Sequence, residues 1–428
     1  MSTLQKEFDA IVVGSGPGGA SVARGLSKNG KKVLILEMGD YEPTKGTFTQ
    51  MLSRGWVPGT KMPLTTGGKP IVRAITTGGT TNFYTACAYE PPFAMLKKYG
   101  IDITQEIAGL REELPIDVIS DRLMNPAASL FMKSARELGY DCQKLDKFIY
   151  QDKCKRNCQS CMYGCPNDAK WNARYFVDEA VDDGAQIVNH AKVKKVIIED
   201  GTAIGVEYKH RGKTYWTYAE KIVIGAGGIG SPGILKKSGI KGVGRDFYTD
   251  PLLLVMGKVE GLKGTGRAVP LMTGFRLEKE GVMLADLHIP QILKALFDVH
   301  AFNFGDVSDY SDVIPIMVKI RDDFSGKIIN NGLVSKKISK EDKQKLVLGE
   351  TIARNILINA GAKKTYSSRI MAAHPGATVK IGEHLDKNLK TRFDNLYVCD
   401  CSVFPEPMGI PPTLTILGLG ARLAGHLL

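Results

Sequence analysis

A chain of 428 residues with 43% hydrophobic and 24% charged residues has an ordinary globular composition and is too long for one compact unit, so two interleaved domains are expected. No apolar run approaches the ~20 residues of a membrane helix, and Met1-Ser2-Thr3-Leu4-Gln5-Lys6-Glu7 lacks a signal-peptide core, so no membrane span and a cytoplasmic location are expected. The net charge of +12 comes from scattered pairs such as Lys31-Lys32, Lys194-Lys195 and Lys363-Lys364 rather than one stripe, which argues against a nucleic-acid partner.

In chain order, Phe8-Asp9-Ala10-Ile11-Val12-Val13 predicts a buried strand, residues 14–19 a tight turn, residues 20–28 a helix, and Val33-Leu34-Ile35-Leu36 a second parallel strand. Residues 40–95, rich in Gly, Thr and Pro, predict an extended ligand-facing segment. A helix is expected over 127–138, followed by a cysteine-rich stretch. Strands are expected at 186–188, 193–199 and 203–208, with a hairpin turn at Asp200-Gly201, and another runs from Ile222 into Gly225-Ala226-Gly227-Gly228. Leu396-Tyr397-Val398-Cys399-Asp400 predicts the last strand and residues 413–428 a closing helix. The fold class is therefore α/β, with a discontinuous Rossmann-type domain formed by residues 1–95, 176–250 and 365–428. Residues 96–175 read as an insertion and 251–364 as a mixed α+β substrate domain.

Gly14-Ser15-Gly16-Pro17-Gly18-Gly19 fits G-x-G-x-x-G directly between a strand and a helix. In that setting Gly14 permits the turn, Gly16 lets backbone approach a pyrophosphate, and Gly19 lets helix and strand pack closely. Glu37 ends the second strand, where a carboxylate can accept hydrogen bonds from a ribose. The pattern is specific for a dinucleotide; further glycine-rich segments favour FAD over NAD.

Those segments are Thr77-Gly78-Gly79-Thr80-Thr81, Gly225-Ala226 with Gly230-Ser231-Pro232, Gly242-Val243-Gly244-Arg245-Asp246 with Asp250-Pro251, and the stretch 398–415. Together, and in this order, they resemble the glucose-methanol-choline (GMC) oxidoreductase family. The resemblance implies that Gly78, Gly79, Thr80 and Thr81 bring backbone amides to FAD, with Asn82 beside the reactive flavin nitrogen. It places Val193 at the adenine, and Ala226, Asp400, Cys401, Pro412 and Thr413 along the cofactor. Some relatives attach FAD through a histidine two residues after the Thr-Thr pair; Phe83 stands there, so FAD is expected to be non-covalent.

His374-Pro375-Gly376-Ala377-Thr378 resembles the family segment whose histidine handles the substrate hydroxyl proton, a task that suits an imidazole near neutral pH. The family usually adds a second His or Asn just before the proline of its last helix. Here Gly409-Ile410-Pro411-Pro412-Thr413 puts Pro411 at that place, with no side-chain hydrogen bond to give. Tyr84, His300 and Asn303 are the candidate substitutes.

Cys154, Cys158, Cys161 and Cys165 are spaced C-x3-C-x2-C-x3-C and precede Pro166. This density resembles ferredoxin-type ligation of an iron-sulfur cluster, most simply 4Fe-4S. Cys142 or Cys87 could supply one ligand. Zinc is the alternative, although its thiolates usually come as two short pairs separated by a longer loop, and free or redox-sensing thiols are the remaining reading. Some GMC dehydrogenases carry such a cysteine-rich insertion. The combined expectation is an FAD-dependent dehydrogenase of a hydroxyl-bearing small molecule, passing electrons through the cluster to an electron-carrier protein or partner subunit. A ferredoxin-driven reductase of a carbonyl or alkene, and a non-catalytic FAD and iron-sulfur subunit of a complex, are the rival readings.

Overall fold

The computed structural model describes residues 7–428 except 56, 58–60, 263–267, 301–311 and 331–332. The first sheet uses β1 (Phe8–Val13), β2 (Val33–Leu36), β3 (Gln186–Val188), β4 (Ala191–Glu199), β5 (Thr202–His210) and β6 (Lys213–Ile224). The second uses β7 (Pro251–Lys258), β8 (Thr273–Leu277), β9 (Val282–Asp286), β10 (Val313–Ile320), β11 (Thr365–Ser367) and β12 (Met371–Ala372), and the chain returns to the first at β13 (Leu396–Val398). The helices that matter most are α1 (Pro17–Ser27), α2 (Arg174–Asp182), α3 (Gly227–Lys237), α4 (Lys340–Asn359) and α5 (Thr413–Leu427).

The seven-stranded first sheet runs β3-β2-β1-β6-β5-β4, with β13 also pairing β6. Its inner part is parallel: Val13 aligns with Leu36 and with Ile224, and Ile224 with Val398. Strands buried on both faces need apolar side chains at successive positions, as in Val33–Leu36, where all four residues are buried. β6 is the seam, because its first half forms a hairpin with β5 while residues 222–224 join the parallel core. Helices α1 and α5 lie against each other on this sheet, close enough that a Cβ at Gly420 would sit 2.7 Å from that of Ser21.

The second sheet runs β11-β7-β10-β9-β8 and ends on the short strand Gln143–Lys144, with β12 on β7. One face packs on α4 and on the helix Pro126–Glu137 through Leu253, Phe131, Val318, Ala353 and Ile356. The other carries Leu252, Leu254, Met256, Met283 and Met317 against Phe83 and Tyr163. That second face looks toward the segments expected to hold the cofactor. β11 and β12 belong to this sheet, so the chain leaves the substrate layer only after residue 372.

The stretch expected to be extended contains the helix Phe48–Gly55, which buries only Met51, Arg54 and Gly55. So few buried positions leave almost no period for a sequence reading to detect. Among the described residues, no helix is long and apolar enough to cross a membrane.

Candidate active site

The glycine turn is closed by backbone contact rather than by side chains. Gly14 has φ +95°, and a Cβ there would lie 2.4 Å from the Gly225 carbonyl oxygen; one on Gly19 would lie 2.1 Å from that of Gly14. Gly16 differs, since a Cβ would meet nothing within 4 Å. Its amide stands at the start of α1, where the unpaired N–H groups and helix dipole favour an anion.

Ser15 joins this turn to the others. Its N–H and Oγ–H donate to the Glu37 carboxylate at 3.0 and 2.6 Å, and its Oγ accepts from the Gly78 N–H at 3.2 Å. Burial pushes the Glu37 carboxyl up, against the hydrogen bonds from Ser15 and Gly39. Gly78, with φ +85°, lets the chain turn so that Gly79 faces Gly16, a Cβ on Gly79 lying 3.1 Å from the Gly16 Cα. Thr81 holds that turn by donating to the Gly78 carbonyl and accepting from the Ala173 N–H at 2.9 Å. Thr80 accepts from the Ala74 N–H at 3.1 Å. The Asn82 amide donates to the Thr77 and Gly79 carbonyls at 2.9 and 2.8 Å, so its side chain is engaged in shaping the loop.

The C-terminal segment meets the same region. Asp400 accepts from the Gly227 N–H at 2.8 Å, from Ser231 and from the Ser402 N–H at 2.7 Å, placing a carboxylate at the start of α3. The Ala226 N–H donates to Ser231 Oγ at 3.1 Å. Burial raises the Cys401 thiol, next to Asp400. Pro412 and the buried Thr413 open α5, which lies over α1. Val193 stands apart on β4 at a break in strand register, and with Gly230 and Pro232 lines a groove of about 830 Å³. Bare backbone at Gly16 and Gly227, facing open space at two helix starts, with Gly79 packed against Gly16 and two carboxylates flanking, fits a dinucleotide such as FAD. Phe83 is buried in the apolar layer below.

His374 lies where this cradle meets the second sheet. The carbonyl of the next residue, Pro375, lies against Gly228, where a Cβ would come within 1.7 Å, and Thr378 Oγ1 donates to the Gly228 carbonyl at 2.8 Å. The His374 side chain is 29% exposed, leaving one edge open. Its Nδ1 is 3.2 Å from Asp250 Oδ2 and 3.0 Å from Lys319 Nζ, and those two charges are 2.9 Å apart and fully buried. Asp250 immediately precedes β7 and Lys319 lies near the end of β10, where Leu252 pairs with Lys319 and Lys319 with Met283, on the face toward the cofactor segments. Burial and the Lys319 ammonium hold His374 below the usual histidine range. The Asp250 carboxyl is lowered despite its burial, because Lys319 and His374 favour its charge.

Of the candidates to replace the missing residue at Pro411, Tyr84 gives its hydroxyl to the Trp171 carbonyl at 2.8 Å. Asn303 and the side chain of His300 lie outside the described residues. The sequence reading missed Lys319. Its signal was a lone charge inside the strand Val313–Ile320, in which every residue is buried.

The four cysteines of the dense motif are free thiols in the loop that follows Cys154. Burial pushes Cys154 up to about 11 and Cys161 up to about 12, and neighbouring thiols add to both shifts. Among the described residues no three His, Cys, Asp or Glu side chains are placed to hold a metal ion, so the expected ligation by Cys154, Cys158, Cys161 and Cys165 is not preformed, and neither is a four-thiolate zinc site. The loop does abut the cofactor segment. Buried Lys170 donates to the carbonyls of Asn82, Tyr84 and Cys161 at 3.0, 3.0 and 2.6 Å.

Comparison with known proteins agrees with this geometry. The GMC oxidoreductase family matches residues 68–252 through its N-terminal part and 335–420 through its C-terminal part, together more than half of the chain, and an NAD(P)-binding Rossmann-like domain matches 12–41. An uncharacterized protein of Methanocaldococcus jannaschii is 27% identical over 98% of this chain and all of its own length. A long-chain-alcohol oxidase of Arabidopsis thaliana is 23% identical over 97% of this chain and 67% of its own. A solved structure of pyridoxine 4-oxidase from Mesorbium loti superposes with a TM-score of 0.76 over 98% of this chain and 99% of that one at 15% identity. A formate oxidase of Aspergillus oryzae gives the same score and identity over 100% and 99%. The chain therefore belongs to the GMC oxidoreductase family, FAD-dependent oxidoreductases of the class acting on CH–OH donors.

Proposed function

We propose that this chain is a dehydrogenase that oxidises a hydroxyl-bearing small molecule, with FAD bound non-covalently and His374 accepting the hydroxyl proton at Nε2. The observation that carries this reading is the part-exposed His374 ring, anchored at Nδ1 by Asp250 and followed in the chain by Pro375 and Thr378 packed on Gly228 of the glycine cradle. Flavin bound there supplies the acceptor for the hydride that leaves the carbon bearing the hydroxyl. Gly16 and Gly79 present backbone to the pyrophosphate, Glu37 accepts from the ribose, and Asp400 steadies the start of α3. A neutral imidazole is the competent base, and the lowered proton affinity of His374 keeps it neutral at physiological pH. The buried apolar layer of Leu252, Leu254, Met283, Met317 and Phe83 packs beneath this site, with Leu252 and Met283 flanking Lys319 on neighbouring strands.

The four-cysteine loop is proposed to carry an iron-sulfur cluster, which Cys154, Cys158, Cys161 and Cys165 would hold and which would supply single-electron transfer to a carrier protein. Four free thiols in one loop supply the donor chemistry, and Lys170 ties the Cys161 carbonyl to that of Asn82, giving a short path from the cofactor segment. The test of the base is His374→Ala. The variant is expected to retain FAD and lose substrate-driven flavin bleaching; full bleaching would refute the role.

A further inference from the structure

We propose that Lys319 and Asp250 are positioning residues that set the tautomer and proton affinity of His374, in place of the second side chain that Pro411 cannot supply. The inference rests on His374 acting as the base.

The three groups form a closed triangle: Nδ1 to Oδ2 at 3.2 Å, Nδ1 to Nζ at 3.0 Å and Nζ to Oδ2 at 2.9 Å. An ammonium only donates and a carboxylate only accepts, whereas one ring nitrogen does one or the other. If Nδ1 carries the proton it donates to Asp250, and Nε2 keeps a lone pair, the form able to take a hydroxyl proton. If Nδ1 accepts from Lys319, Nε2 carries the proton and cannot act as a base. The Lys319–Asp250 pair persists in both forms, so the ring can exchange one for the other without breaking an ion pair. Once a proton arrives, the imidazolium must donate Nδ1–H to Asp250 while Lys319 repels it. Asp250 therefore receives the charged ring, and Lys319 keeps the resting ring neutral.

The setting favours this use over a merely structural one. A fully buried ion pair adds little net stability compared with apolar side chains of similar size. His374 and Asp250 both hold left-handed backbone, φ +48° and +43°, and backbone strain of this kind concentrates at functional sites. The Gly409 N–H donates to the other Asp250 oxygen at 3.1 Å, so the loop leading to Pro411 is fastened to the same carboxylate. The charged groups facing His374 are Asp250 and Lys319. Behind them stand Asp322 with Lys336, whose ion pair is 2.9 Å long, and the titratable Tyr248, Cys401 and Cys87.

The test uses the FAD-bound protein with ring-15N histidine, the His374 signals being assigned through His374→Gln. In the unaltered protein near neutral pH, Nδ1 is expected to carry the proton and Nε2 to be bare; a ring protonated at Nε2 overturns the proposal without any variant. Lys319→Met is expected to move the titration of His374 and the acid limb of kcat/KM to higher pH, and Asp250→Asn to lower pH, each by about one unit or more. If folded variants that retain FAD leave both readouts unmoved, the proposal fails. That failure is distinct from failure of the base itself, which would show as full flavin bleaching in His374→Ala.

Discussion

Replacing Gly16 by alanine separates cofactor binding from folding. The residue has ordinary extended backbone, φ −66° and ψ 178°, and a new methyl meets no protein atom within 4 Å. The change costs about 1 kcal/mol or less, from exchanging Gly for the poorer N-cap Ala. The methyl instead enters the space where the pyrophosphate must approach bare backbone. Losing one amide hydrogen bond to a charged phosphate costs about 1.5–3 kcal/mol, a fall in FAD affinity of roughly 10- to 150-fold. Gly14→Ala is the contrast. It adds a methyl 2.4 Å from the Gly225 carbonyl oxygen on backbone at φ +95°. The conformational penalty of about 1–2 kcal/mol and crowding of about 1–3 kcal/mol together remove a large part of a typical 5–15 kcal/mol stability. Thermal melts of the cofactor-free proteins, with FAD titrations followed by flavin fluorescence, measure both effects. The reasoning is refuted if Gly16→Ala binds FAD unchanged, or if it destabilises the cofactor-free protein as much as Gly14→Ala does.

Asp400→Ala is expected to destabilise the protein by several kcal/mol, because the donors of Gly227, Ser231 and Ser402 lose their acceptor at about 1–3 kcal/mol for each left unpaired; an unchanged melting temperature would contradict this. Cys158→Ser is expected to lose iron and sulfide and reduction of one-electron acceptors while keeping FAD, and iron-free unaltered protein purified without oxygen would contradict the cluster. Because His374 titrates below the ordinary histidine value, its basic form persists as pH falls, so the acid limb of kcat/KM is expected below pH ~6.5, and a limb above it would contradict the lowered affinity.

What could be read from the sequence was mostly local. The strand, turn and helix over Phe8–Val13 and Pro17–Ser27 follow from neighbouring residues, because a buried parallel strand and a glycine turn leave their marks within a dozen positions. Glu37 and Gly78 were legible as single sites, yet the Ser15 side chain that joins them was not. His374 came from its motif, but its partners lie 124 and 55 residues away in sequence, Asp250 in a segment that gave no sign of this role and Lys319 in a strand with no recognisable motif. Only a lysine in an otherwise apolar strand marked Lys319. The cysteine spacing suggested ligation, but among the described residues no three such side chains stand ready to hold an ion, because spacing alone cannot fix how a loop closes.

The most direct test of the account is the flavin itself. Protein purified without oxygen and then denatured is expected to show flavin absorption and to release FAD in an amount close to equimolar with the chain. Colourless protein that neither releases a flavin nor takes one up from solution would contradict it.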